Sequence, residues 1–126
     1  MQTLLLKGDR AMKIEEYQFG SITIDGQSYT SDVIISPDGV DATWWRERGH
    51  ELSVKDLEPV LAAKPDILII GTGESGCVKV LPEAAELMRR RCAQVHVLKT
   101  AQACRRFNEL VAGESRRVVA ALHLTC

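Results

Sequence analysis

The stretch Pro65 to Gly76, PDILIIGTGESG, constrains the fold more than any other. A helix-breaking proline precedes an unbroken apolar run, Ile67 to Ile70, and Gly71, Gly73 and Gly76 follow. The run is too short for a buried helix. Its β-branched content and its Pro and Gly flanks predict a buried parallel strand. The glycines predict a sharp backbone turn or a close approach to something else. From residue 53 onward the pattern reads α-β-α-β-α-β, which predicts a sheet with helices against it, right-handed wherever neighbouring strands are parallel.

The helices carry their own punctuation. Ser53 is a plausible N-cap with Asp56 three residues on, and Val54, Leu57 and Leu61 give an apolar face that Pro59 shortens or kinks. Pro82 suits the first turn of a second helix whose buried stripe is Ala84, Leu87 and Met88. Arg89, Arg90 and Arg91 close it where the dipole favours cations, which explains the basic run without nucleic acid. Gln94 to Leu98 is a strand. Thr100 caps a third helix with the stripe Ala103, Phe107, Leu110 and Val111 and a C-terminal Gly113, and Arg117 to Leu122 is the last strand.

The first third reads as an antiparallel β segment. Leu4–Leu6 and Lys13–Phe19 are candidate extended pieces. Ile22 and Ile24 alternate with polar residues, and Asp25-Gly26 is a strong two-residue hairpin turn that would set Ile22 opposite Tyr29. Asp32–Ser36 is the next strand, Pro37-Asp38-Gly39 a turn, Val40–Trp45 a returning strand, and Arg46–Glu51 a polar loop.

At 126 residues the chain is expected to form a single domain, 1–126, with a real core. The net charge of −1 predicts neither nucleic acid nor an anionic membrane as partner. Residues 1–63 carry a net −5 and residues 64–126 a net +4, a pair of solvated faces or a bipolar surface that orients a partner. No apolar run approaches the roughly 20 residues of a membrane span, and Leu4–Leu6 is too short for the apolar region of a signal peptide. A cytoplasmic location is the expectation. None of the four cysteines forms a C-x-x-C pair, so they are read as free thiols. His123 and Cys126 lie three apart, but zinc needs further ligands, and no metal or cofactor is expected.

Gly71-Thr-Gly73-Glu-Ser-Gly76 matches G-x-G-x-x-G after a strand. The dinucleotide fingerprint also needs a helix opening inside the motif, and here the helix starts about six residues late. No Lys-Ser/Thr follows for a P-loop. Ser75 lacks the glycine two residues on and the immediate helix of a nucleophile elbow. No complete catalytic set emerges, so an enzyme is not the leading reading. A weaker anion or small-molecule site remains open at the C-terminal edge of the sheet, where the glycine loop and the start of the Thr100 helix would share a crevice. Its candidate ligand residues are Gly71, Thr72, Gly73, Glu74, Ser75, Thr100, Arg105 and Asn108. Trp44-Trp45-Arg46 is the most conspicuous aromatic feature. On a strand the two indoles point to opposite faces, one into the core and one outward, and all three residues are candidates for a partner surface.

The stretches from Ile67 to Gly73, from Thr100 to Leu110 (TAQACRRFNEL) and from Arg116 to Leu122 (RRVVAAL), with the terminal HLTC, resemble a widespread family of small α/β domains. It includes the mitochondrial respiratory complex I assembly factor of this type and the small adipogenesis-associated protein. The resemblance runs from about Ile14 to Cys126. It implies a three-layer α/β fold: a mixed central sheet with one antiparallel strand, helices packed on it, and an N-terminal β layer. It also implies a non-catalytic module that binds other assembly proteins, with no cofactor and, for complex I relatives, a mitochondrial setting.

Overall fold

A computed structural model describes residues 12–113 and 116–126. The candidate strand at Leu4–Leu6 lies outside the described residues. Ten strands and three α-helices are formed among the described residues. In chain order they are β1 (Ile14–Gln18), β2 (Ser21–Ile24), β3 (Gln27–Tyr29), β4 (Val33–Ser36), β5 (Gly39–Asp41) and β6 (Glu51–Leu52). A 3₁₀ turn (Lys55–Leu57) leads into α1 (Glu58–Ala62). Then come β7 (Ile67–Gly71), β8 (Lys79–Val80), α2 (Pro82–Arg91), β9 (Gln94–Leu98), α3 (Thr100–Gly113) and β10 (Val118–Leu122).

The main sheet has five strands in the order β5-β4-β10-β7-β9. β10, β7 and β9 are parallel, and β4 runs antiparallel to both of its neighbours. One strand therefore opposes the other four. β7 pairs on both sides, and all five of its residues are buried, as the apolar run before the glycines demands. The chain crosses from β7 to β9 in one direction and from β9 back past β7 to β10 in the other. Right-handed crossovers in opposite directions place their helices on opposite faces.

The two cores follow from this. On one face Ala103, Cys104 and Phe107 of α3 pack against Ile67, Ile69, Ala120 and Leu122. On the other, Ala84 and Met88 of α2, with Leu57, Val60 and Leu61, pack against Leu68, Ile70, Val119 and Ala121. Each fully buried Ile, Leu or Val contributes about 1.5–3 kcal/mol. The separate sheet β1-β2-β3 joins the α3 side through Ile14, Ile22 and Ile24. Asp25 and Gly26 both take positive φ, as a type I′ turn requires, and the turn sets Ile22 opposite Tyr29.

Local expectations fail where side chains recruit the backbone. β5 stops at Asp41 instead of running to Trp45, because Asp41 Oδ1 accepts the Thr43 N–H and folds the chain into a turn. Ser53 and Asp56 do exchange hydrogen bonds in capping-box fashion, but the turn they open is 3₁₀ and Val54 is left exposed. Glu51, read as the end of a polar loop, and Leu52 form a parallel two-stranded ladder with Lys79 and Val80. Thr100 does not cap α3; it is fully buried within the first turn, and its hydroxyl is used elsewhere.

Candidate functional site

The parallel strands β7, β9 and β10 end on one edge of the main sheet, where Gly71, Leu98 and Leu122 are in register. The glycine loop and residues 123–126 meet there. His123 N–H donates to Gly71 O at 3.0 Å. Thr100 Oγ1 donates to His123 O at 2.6 Å and accepts from Gly73 N at 2.8 Å, while Thr100 N–H donates to Gly73 O at 3.1 Å. One buried hydroxyl thus ties together the ends of two strands and the start of a helix.

The glycines are required by close approach. A Cβ on Gly71 would lie 2.8 Å from a Leu122 methyl and 2.9 Å from Thr100 Oγ1. Gly73 has φ +107°, and a Cβ there would lie 2.4 Å from the Cys126 carbonyl carbon and oxygen. The loop is a seat for residues 125–126. The N–H groups of Thr72, Gly73, Glu74, Gly76 and Cys77 are used in holding them, the strand and helix ends, and the loop itself. Thr72 donates to Leu98 O, Glu74 to Thr125 O at 2.7 Å, Gly76 to Gly73 O and Cys77 to Cys126 O at 3.1 Å. The expected crevice, with loop amides facing a ligand, is filled by the chain's own backbone.

The remaining candidate ligand residues are dispersed. Glu74 Oε1 is 3.1 Å from the Tyr17 hydroxyl, and Ser75 and Arg105 are exposed. Burial and the neighbouring Glu74 carboxylate push the Tyr17 phenol above its usual range. Asn108 faces β1: its Nδ2 donates to Ile14 O at 2.8 Å and its Oδ1 accepts from Ile14 N at 2.9 Å. The amide copies a neighbouring strand's pairing and joins the small sheet to α3.

A constellation that no motif announced lies beside this seat. Asp32 directly precedes β4 and His123 directly follows β10, and antiparallel pairing of these strands sets them together. Arg46 reaches in from the 42–50 loop. Its Nη1 donates to Asp32 Oδ2 at 2.8 Å, and its Nε and Nη2 donate to Gly49 O. Nη2 is also 2.9 Å from His123 Nδ1, which lies 2.8 Å from Asp32 Oδ2. A guanidinium only donates and a carboxylate only accepts, so Nδ1 can serve only one of them at a time. Thr125 Oγ1 at 3.2 Å from Nε2 can donate or accept, so it suits either tautomer. Burial of Asp32 works to raise its pKa, but hydrogen bonds from His123, Arg46 and the Leu124 N–H outweigh it and leave the carboxyl below its usual range. Outside the triad, His50 stands edge-on to His123 at 6.5 Å, and Cys126 Sγ lies 3.6 Å from His50 Nε2.

Of the aromatic candidates, Trp44 and Arg46 are inside. Trp44 donates its indole N–H to Asp56 O at 3.1 Å, and the Arg46 guanidinium carbon lies 5.2 Å from a Trp44 ring. Arg46 is 7% exposed, so it is not a surface residue: its ion pair with Asp32 pulls it under the loop. Trp45, between them, is 75% exposed. The two indoles do point apart, though on a loop and not on a strand.

Residues 14–123 match the family described as DUF498, protein of unknown function (DUF498/DUF598). This chain belongs to that family. It is similar in structure to the conserved hypothetical protein PH1505 of Pyrococcus horikoshii OT3, with 31% identity, 90% of this chain and 99% of that one covered, and a TM-score of 0.76. It is similar at 26% identity and TM-score 0.73 to an outer membrane protein from Bartonella henselae, over 90% of this chain and 94% of that one. The fold is shared with a Mth938-like domain of Bordetella pertussis, at 21% identity and TM-score 0.59, over 89% and 85% of the two chains. Among the described residues, no helix is long and apolar enough to cross a membrane. Nor do three or more His, Cys, Asp or Glu side chains there form a group that could hold a metal ion.

Proposed function

We propose that this DUF498 protein is a non-catalytic, cytoplasmic binding module for another protein, with Trp45 at the centre of its contact surface. The observation that carries this is the contrast within three consecutive residues. Trp44 and Arg46 are locked by an indole hydrogen bond, a buried ion pair and a cation–π contact, and the exposed Trp45 ring stands between them. A large amphipathic ring held on a rigid base loses little entropy on docking, which is what interface hot spots exploit. The internal use of the glycine-loop amides supports a structural role for that loop and takes weight from an anion site. The family resemblance suggests the partner: a protein engaged in assembling respiratory NADH dehydrogenase.

The test is affinity capture from native lysate with the wild-type chain and with Trp45→Ala. A reproducible protein partner should be retained by the wild type and lost with the variant, whose circular dichroism is unchanged. Absence of a reproducible partner, or equal capture by both proteins, would overturn the proposal.

A further inference from the structure

The four cysteines divide sharply by environment. Cys92 and Cys104 are buried, and burial raises both thiols, Cys104 to about 12. Such thiols stay protonated and inert. Cys77 and Cys126 are partly exposed, and both lie at the seat formed by the glycine loop. They also adjoin each other: Cys77 N–H donates to Cys126 O at 3.1 Å. That bond sets the two residues side by side, and disulfides span Cα separations of roughly 4.4–6.8 Å. The relation is held on both sides. Glu74 N–H grips Thr125 O, and Gly73 packs so tightly on Cys126 that a Cβ cannot be added. A base is also in place, because His50 Nε2 is 3.6 Å from Cys126 Sγ.

We propose that Cys77 and Cys126 form an oxidisable dithiol, a modification site that closes into an intramolecular disulfide across the glycine-loop seat when it meets a small-molecule disulfide. His50 Nε2 takes the proton from Cys126 Sγ. The thiolate attacks one sulfur of the oxidant, breaking its S–S bond and expelling one thiolate. Cys77, deprotonated by solvent, then attacks Cys126 Sγ in the mixed disulfide and expels the second thiolate. The oxidant is reduced to two thiols, and the two cysteines become one cystine with the loss of two hydrogen atoms. The closed form releases the Cys126 sulfur from His50, which sits on the loop that carries Arg46 and Trp45. This inference does not depend on the binding role proposed above.

The full chain, fully reduced, is exposed to oxidised glutathione under native conditions and followed by intact mass, thiol titration and peptide mapping. The thiol count should fall from four to two. The mass should drop by two hydrogens with no glutathione retained, and one cross-linked pair should contain Cys77 and Cys126. Cys77→Ser should stop at a single glutathione adduct on Cys126. His50→Gln should slow the first step several-fold and give the same product. Stable glutathione adducts on the wild type, a cross-link involving Cys92 or Cys104, or no reaction would overturn the dithiol. An unchanged rate in His50→Gln would overturn the assignment of the base. Circular dichroism of each variant establishes that the reacting protein is folded.

Discussion

The glycine loop at residues 71–76 and the loop at residues 42–50 make an instructive pair. The first carries a recognisable motif, and the second carries none. Yet the motif loop turns its amides inward, onto Thr100, Leu98, Thr125 and Cys126. The other loop buries a cation between a carboxylate and a histidine and leaves an indole in solvent. Glycine spacing reports that backbone must pass close to something. It does not report whether that something is a ligand or the chain itself. Here it is the chain, since the missing Cβ of Gly73 is what admits the Cys126 carbonyl.

Three substitutions probe that contrast, in decreasing order of effect on stability. Gly73→Ala should be the most damaging. It forces an alanine to φ +107° and drives its methyl into the Cys126 carbonyl. Strain and overpacking together should cost about 4 kcal/mol, read as a lower midpoint in urea unfolding. A midpoint close to wild type would mean that residues 125–126 do not occupy the seat.

Asp32→Asn tests the other loop. It leaves the Arg46 charge buried without its counter-ion, which should cost about 3 kcal/mol. The same group sets an acid limit. The folded-state pKa of Asp32 is depressed, so its contribution is present above the unfolded carboxylate value, about 3.9, and is lost as pH falls through the folded value. Thermal unfolding between pH 6 and pH 2 should therefore show a steeper acid loss for wild type than for Asp32→Asn. Parallel curves would remove Asp32 from the account.

Trp45→Ala should change stability by less than about 0.5 kcal/mol, because the ring is 75% exposed. A loss several times larger would mean that the indole packs against this chain and is not presented outward.

Much of the architecture was legible because it rests on local rules. The Ile67–Ile70 run, the Asp25-Gly26 turn, Pro82 at a helix start and the Arg89–Arg91 terminus all fall where their chemistry requires. Ladder β6-β8 was not legible, since each strand has only two residues and no period can be read from two. The Asp32–Arg46–His123 triad was hidden for another reason. Its members are up to 91 positions apart, and only the antiparallel pairing of β4 with β10 brings Asp32 and His123 together. A signal existed: a carboxylate immediately before one strand and a histidine immediately after another are neighbours whenever those strands pair antiparallel. Thr100 and Asn108 were singled out as residues, but their partners lie 23 and 94 positions away, so cap and ligand were the readings nearest to hand.

Amide hydrogen exchange at Gly73, Glu74 and Cys77 tests the central claim most directly, measured with and without millimolar phosphate and with a nucleotide. If the loop is a seat for residues 125–126, all three amides exchange slowly in the free protein and neither additive alters their rates. Fast exchange in the free protein that becomes slow only when phosphate or nucleotide is added would contradict it.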